Sequence, residues 1–204
     1  MFKSRVDRFP VVKRSMRILG ISGSPRRDGN TDIVINEALN AAKDEKAEVE
    51  FIKLSDYHLE PCTDCGVCHA TKDCSIKDDY EKIYQKIVDA DGLILGCPSY
   101  FQGVTAQMKT FIDRIGFLCL NRGRKDFEGK VGGAIAVARR SGLSGTCNQM
   151  IMFLTATRIT IPGGGRVYAI GREKGDVVKD KEGLETARYL GKAIAKAITA
   201  NKSH

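Results

Sequence analysis

An α/β fold built on a doubly wound five-stranded parallel sheet, order 2-1-3-4-5, is what this sequence predicts. Three observations lead there. Short apolar runs alternate with amphipathic helical stretches along the chain. The inner runs are apolar throughout, which marks strands of a parallel sheet covered on both faces. The 204 residues suffice for one well-buried domain and are too few to expect two. In such a sheet ligands bind at the carboxyl ends of the strands.

The elements follow in order. Arg17–Ile21 (RILGI) reads as the first strand, and Thr31–Lys43 as a helix with Asn30 or Thr31 as its cap. Glu48–Leu54 (EVEFIKL) alternates like a strand. Tyr80, Ile83, Tyr84, Ile87 and Val88 share one helical face, with Asp78 or Asp79 at its start. Gly92–Gly96 (GLILG) is a short strand. Met108, Phe111, Ile112, Ile115 and Leu118 mark the next helix, capped by Thr105. Val131–Ala138 (VGGAIAVA) is a glycine-rich buried strand, followed by a helix near Gly145–Thr157. The last strand is expected around Ile159–Ile161, before the Pro162–Gly165 break (PGGG). Leu184, Ala187, Leu190, Ala193, Ile194, Ala197 and Ile198 form the final helix. Residues 1–15 read as an N-terminal extension and 16–204 as a single domain. Two connections are long for such a fold: Pro61–Lys77, and the polar Asn121–Lys130 (NRGRKDFEGK).

Composition narrows the class. Hydrophobic residues make up 42% and charged residues 28%, as in an ordinary globular domain. No apolar run approaches the ~20 residues of a membrane helix. The N-terminal stretch lacks the apolar core of a signal peptide, so the expected location is the cytoplasm. A formal net charge of +8 is a solvated basic surface or a means of attracting an acidic partner. Nucleic acid is not an expected partner: Trp is absent and no basic stripe is interleaved with aromatics.

The first strand runs into SGSPRRDGNT, Ser22 to Thr31, and then a helix. A helix N-terminus presents unpaired N–H groups and partial positive charge, so it binds phosphate. Ser22, Ser24, Asn30 and Thr31 supply short donors and Arg26 a planar cation, while Gly23 and Gly29 let the backbone curl. The spacing matches neither a Walker A loop nor the dinucleotide G-x-G-x-x-G fingerprint. An ordinary capped helix start is the plainer alternative.

These residues resemble the phosphate loop of the NADPH-dependent FMN reductase group within the flavodoxin-like superfamily. Cys97–Arg114 (CPSYFQGVTAQMKTFIDR) is similar to that group's segment after the third strand. The resemblance implies that Pro98, Ser99, Tyr100 and Phe101 line a flavin. An aromatic pair and backbone amides at a strand's end can flank an isoalloxazine and bond its polar edge. The turn after the fourth strand, Ala138, Arg139, Arg140, Ser141 and Gly142, is the third expected flavin segment. Its two arginines either stabilise an anionic reduced flavin or are merely solvated.

Four of the seven cysteines fall within 13 residues: Cys62, Cys65, Cys68 and Cys74, spaced C-x2-C-x2-C-x5-C. The odd total and absent secretory signal argue against a disulfide framework. Four thiolates so close suit a [4Fe–4S] cube. Zinc, whose usual layout is two C-x2-C pairs further apart, and bare thiols are the other readings. His69 beside the third Cys is read as a solvent-facing neighbour. Cys97, Cys119 and Cys147 are dispersed, two of them in apolar surroundings, and read as small hydrophobes.

The FMN scaffold combined with this cysteine loop resembles the iron–sulfur flavoproteins of anaerobic archaea and bacteria, from about Met16 to Ala200. The resemblance implies one FMN and one [4Fe–4S] cluster per subunit, a homodimer or homotetramer, and electron exchange with a ferredoxin-like carrier. Reduction of oxygen or peroxide is a further implication. The two cofactors would carry the chemistry, so no side chain is named as catalytic. Two other readings stand beside it: a nicotinamide-dependent FMN or quinone reductase with a structural cysteine loop, and a non-enzymatic redox sensor or carrier.

Overall fold

The computed structural model describes residues 15–201; the expected N-terminal extension, apart from Ser15, lies outside the described residues. Five strands, β1 (Arg17–Ser22), β2 (Glu48–Lys53), β3 (Gly92–Pro98), β4 (Val131–Ala138) and β5 (Arg166–Ile170), form one sheet. Its order is β2-β1-β3-β4-β5 and every pairing is parallel. This is the flavodoxin-like arrangement that the sequence predicts.

Among the described residues α1 (Asn30–Asp44), α3 (Tyr80–Asp89), α4 (Ala106–Asn121), α5 (Leu143–Ala156) and α6 (Lys181–Asn201) flank the sheet, and a short α2 (Val67–Thr71) lies against α4. Successive strand residues point to opposite faces, and two cores result. Leu19, Ile21, Leu93, Leu95 and Ala134 pack with Ile83, Phe111, Ile115 and Met150 from α3, α4 and α5. Ile18, Ile94, Ile135 and Val167 pack with Val34, Ile35, Leu190 and Ile194 from α1 and α6. Gly191 lets α6 approach α1 closely: an added Cβ would stand 1.9 Å from the Ala38 carbonyl oxygen. Among the described residues no helix is long and apolar enough to cross a membrane.

Three expectations are corrected. The last strand is Arg166–Ile170, not Ile159–Ile161; Thr160 makes only an isolated bridge to Val131. β5 is an edge strand with Val167 and Ala169 buried and its alternate residues exposed, so it lacks the continuous apolar run of the inner strands. Gly29, in an extended conformation, takes the N-cap of α1, and Asn30 is the first helical residue. α2 is an additional helical turn inside the cysteine loop, entered through Gly66 at φ +72°. By contrast Thr105 caps α4 as expected, its Oγ1 accepting from the Met108 N–H at 3.3 Å.

Candidate functional site

The carboxyl ends of β1, β3, β4 and β5 surround a cleft of about 310 Å³. Ser24, Arg26, Asn30 and Thr31 line it from the first loop, and Pro98, Ser99 and Tyr100 from the second. Ala138 and Arg139 contribute from the third. A second cleft of about 570 Å³ adjoins, sharing Ser99 and Arg139 and adding Phe101, Arg140 and Ser141.

The first loop is built rigidly. Ser22 is fully buried and donates to Asp32 Oδ1 at 2.6 Å, so its hydroxyl supports the loop from beneath rather than lining the cleft. Lys53 Nζ pairs with Asp32 Oδ2 at 2.7 Å and donates to the Arg26 carbonyl at 2.9 Å. The Arg26 N–H donates to Ser24 Oγ at 3.2 Å. Among the described residues the Arg26 guanidinium forms no ion pair, leaving a cation beside the N-terminus of α1. That arrangement suits a phosphate dianion.

Asn30 behaves differently from the expected cap or phosphate donor. Its Nδ2 donates to the Glu173 carbonyl at 2.8 Å, and its Oδ1 accepts from the Gly175 N–H at 2.8 Å. It thereby ties α1 to the loop after β5. That loop, Gly171, Arg172, Glu173 and Lys174, lines the cleft and is absent from the sequence reading. The rule that ligands sit at strand carboxyl ends would have found it had β5 been placed correctly.

Tyr100 and Phe101 line different clefts. Tyr100 lines the first cleft, whereas Phe101 is fully exposed at the rim of the second. The chain turns sharply there: Phe101 and Gln102 lie at φ +48° and +72°, and Tyr100 and Gly103 exchange backbone hydrogen bonds of 2.9 and 3.1 Å. Gly142, at φ +90°, is the N-cap of α5; an added Cβ would come 2.1 Å from Ser99 Oγ, so the second and third loops touch through it. Thr105 links the first and second loops, donating to the Gly23 carbonyl at 2.7 Å.

The cysteine loop packs along α4. Its two ends are clasped by a buried ion pair, Arg114 with Asp78, whose side chains are 1% and 0% exposed. Asp78 also accepts the Glu60 N–H at 2.8 Å and the Tyr80 N–H at 3.1 Å. Burial alone would raise the Asp78 carboxyl; the Arg114 guanidinium and the two N–H groups outweigh it and hold the carboxyl below its ordinary value. The connection at 121–130 packs on this loop through Arg122, whose Nε donates to the Lys72 carbonyl at 2.9 Å, and on α3 through buried Phe127, whose ring lies tilted against Tyr84 at 5.2 Å.

Each of the four loop sulfurs has a hydrogen-bonding partner. Cys62 Sγ accepts from the Asp64 N–H at 3.5 Å, Cys68 Sγ from Asn121 Nδ2 at 3.2 Å and Cys74 Sγ from Arg114 Nη2 at 3.3 Å. Cys65 Sγ lies 3.2 Å from Ser75 Oγ, and that hydroxyl, with the Val67 N–H, holds the Cys65 thiol below its usual value. All four are free cysteines, with Cys62 and Cys65 exposed. Among the described residues no three His, Cys, Asp or Glu side chains converge on one point. The donor chemistry nevertheless fits thiolate ligation, since N–H and O–H groups aimed at sulfur favour the anionic form that binds iron. The other three cysteines are buried, and burial pushes each thiol up to about 11.

Residues 16–173 match the family described as NADPH-dependent FMN reductase. An iron–sulfur flavoprotein of Methanocaldococcus jannaschii is 42% identical over 196 residues, covering 90% of this chain and 97% of the relative. The chain belongs to the iron–sulfur flavoproteins of the FMN reductase family. An iron–sulfur flavoprotein of Methanosarcina thermophila is 30% identical, covering 90% of this chain and 95% of its own. Among solved structures, RosB, determined with an 8-demethyl-8-formylriboflavin-5'-phosphate intermediate, overlays this flavoprotein with a TM-score of 0.74 at 17% identity, over 93% of this chain and 81% of its own. An archaeal flavodoxin overlays with a TM-score of 0.59 at 14% identity, over 90% and 99%. Those two likenesses concern the fold. The family membership makes this protein a redox flavoprotein.

Proposed function

We propose that this flavoprotein binds FMN in the cleft at the sheet's carboxyl edge and a [4Fe–4S] cluster on Cys62, Cys65, Cys68 and Cys74. Single electrons from a ferredoxin-like carrier would enter by the cluster, and two of them would leave the flavin together for an acceptor such as oxygen or peroxide. The observation that carries this reading is the course of α4. Thr105 at its N-terminus fixes the flavin loop, while Arg114 and Asn121 further along touch two sulfurs of the cysteine loop. One helix thus serves both sites.

A flavin supplies one- and two-electron chemistry and an iron–sulfur cube one-electron chemistry, so their pairing suits conversion between the two. The chain's own part is binding and orientation. Arg26, Ser24 and the N-terminus of α1 hold the phosphate. Tyr100, the amides of the second loop and Arg139 surround the ring, and the second cleft leaves room for an acceptor.

Along α4, Arg114 stands about 12 Å and Asn121 about 22 Å from Ala106 at the helix start. A path from one subunit's cysteine loop to its neighbour's flavin cleft, in a closed symmetric homodimer or homotetramer, accords with that separation. The net charge of +8 suits an acidic carrier, whose reaction would slow as ionic strength rises.

The test is the iron, acid-labile sulfide and flavin content of protein purified without oxygen, with an EPR spectrum after dithionite. One FMN and four iron and four sulfide per subunit are expected. Flavin without iron, bleached stoichiometrically by NADPH within seconds, would overturn the proposal in favour of the nicotinamide-dependent reductase that the family description suggests.

A further inference from the structure

We infer that Arg114 and Asn121, two residues of α4, are positioning residues that set the reduction potential of the cluster by donating hydrogen bonds to the sulfurs of Cys74 and Cys68. The inference rests on the reading of these cysteines as cluster ligands. It concerns what this chain does to such a cluster beyond holding it.

The geometry is specific. The four ligand cysteines lie on one loop, yet two of their sulfurs are met from outside it. Arg114 Nη2 lies 3.3 Å from Cys74 Sγ, and Asn121 Nδ2 lies 3.2 Å from Cys68 Sγ. The two donors are seven residues apart on α4, two helical turns, so they stand on one face.

Arg114 is fixed before any ligand arrives. Its Nη1 donates to the Glu60 carbonyl at 2.8 Å, its Nη2 also reaches Asp78 Oδ1 at 3.1 Å, and the guanidinium stacks over the Tyr80 ring at 5.0 Å. With its charge matched by Asp78, what Arg114 presents to Cys74 is an oriented N–H rather than an unbalanced cation. Asn121 is the last residue of α4, where the chain turns into the 121–130 connection. Arg122, its neighbour, holds the Lys72 carbonyl and so keeps the cysteine loop against it.

Each one-electron reduction of a cluster adds negative charge that spreads over its sulfurs. A hydrogen bond to sulfur is therefore stronger in the reduced state, and donors raise the potential. The two α4 donors would make the cluster easier to reduce than the loop alone. The amide of Asn121 is the cleaner probe, because removing Arg114 outright would leave Asp78 buried without its partner.

The experiment is an EPR-monitored redox titration of anaerobically purified holoprotein, comparing wild type with Asn121→Leu and Arg114→Lys. Leu keeps the branched shape of Asn121 and removes the donor; Lys keeps a charge for Asp78 and removes the planar fork. Each variant is expected to retain iron, sulfide and FMN. The one-electron equilibrium should shift about tenfold toward the oxidised cluster, a potential about 59 mV lower. Unchanged potentials in both variants, with full iron and sulfide, would overturn the inference while leaving the cluster assignment intact. Loss of iron from Asn121→Leu with FMN retained would also overturn it, because the side chain would then be holding the cluster and not tuning it. Wild-type protein without iron and sulfide would overturn the assignment beneath it.

Discussion

Arg114 and Asp78 meet with their side chains almost wholly buried, and between them they bond Glu60 before the cysteine loop, Ile76 near its end and Tyr80 after it. The ion pair closes the loop's base against the helix that carries the flavin loop. Breaking one partner would leave an uncompensated buried charge, which costs about 3–5 kcal/mol.

Asp78→Asn is therefore expected to destabilise the protein by about that amount at pH 7. The Asp78 carboxyl titrates below its ordinary value in the folded state. The pair's contribution is thus fully present above the unfolded Asp value of about 4 and is lost as pH falls through the lower folded value. The gap between wild type and variant should narrow below about pH 4. Urea unfolding at several pH values checks this, and a gap constant across the acid range would refute it.

Replacing Cys62, Cys65, Cys68 or Cys74 by Ala is expected to remove much of the iron and leave FMN bound, because the flavin cleft shares no residue with the loop. Cys97, Cys119 and Cys147 are buried in the core facing α3, α4 and α5, and Ala there should keep the iron. Iron and sulfide analysis of the seven variants measures this. Full retention in the four loop variants would remove the ligand assignment.

Arg26→Ala should weaken FMN far more than riboflavin. Its guanidinium is the cation of the first loop that lines the cleft, and a charge-assisted bond to phosphate acts on FMN alone. Loss of about 1.5–3 kcal/mol, roughly 10- to 150-fold in Kd, is expected for FMN. Fluorescence titration with both ligands reads it, and equal weakening would place Arg26 away from the phosphate.

Asn30→Ala should loosen the loop after β5. Both polar atoms of the Asn30 amide are used, on the Glu173 carbonyl and the Gly175 N–H. Their loss should cost about 1–3 kcal/mol of local stability and speed amide exchange at Gly175. Since the same loop lines the cleft, FMN and riboflavin should weaken together. Unchanged exchange at Gly175 would show that the loop holds itself.

Some of this was legible in the sequence. Strands β1, β3 and β4 are apolar because both their faces are covered, and that local signature survives without any knowledge of the fold. The Thr105 cap, the C-x2-C-x2-C-x5-C spacing and the first cleft loop follow from pattern and spacing of the same local kind, the 2-1-3-4-5 order from five strands alternating with helices, and the second cleft loop from the resemblance to the FMN reductase group. Tertiary structure alone decided the rest, because those features depend on residues distant in sequence. β5 was misplaced because an edge strand buries one face, and the apolar stretch at Ile159–Ile161 looked stronger than RVYAI. Ser22 and Asn30 look like phosphate donors in sequence. Only packing shows the first spent on Asp32 and the second on a loop more than 140 residues away. Arg114 and Asn121 read as ordinary helix residues until the chain folds the cysteine loop, whose Cys74 and Cys68 stand 40 and 53 residues earlier, against them. A hydrogen bond between such distant positions leaves no periodicity behind, since it depends on where the sheet sets the helix and not on the residues beside it.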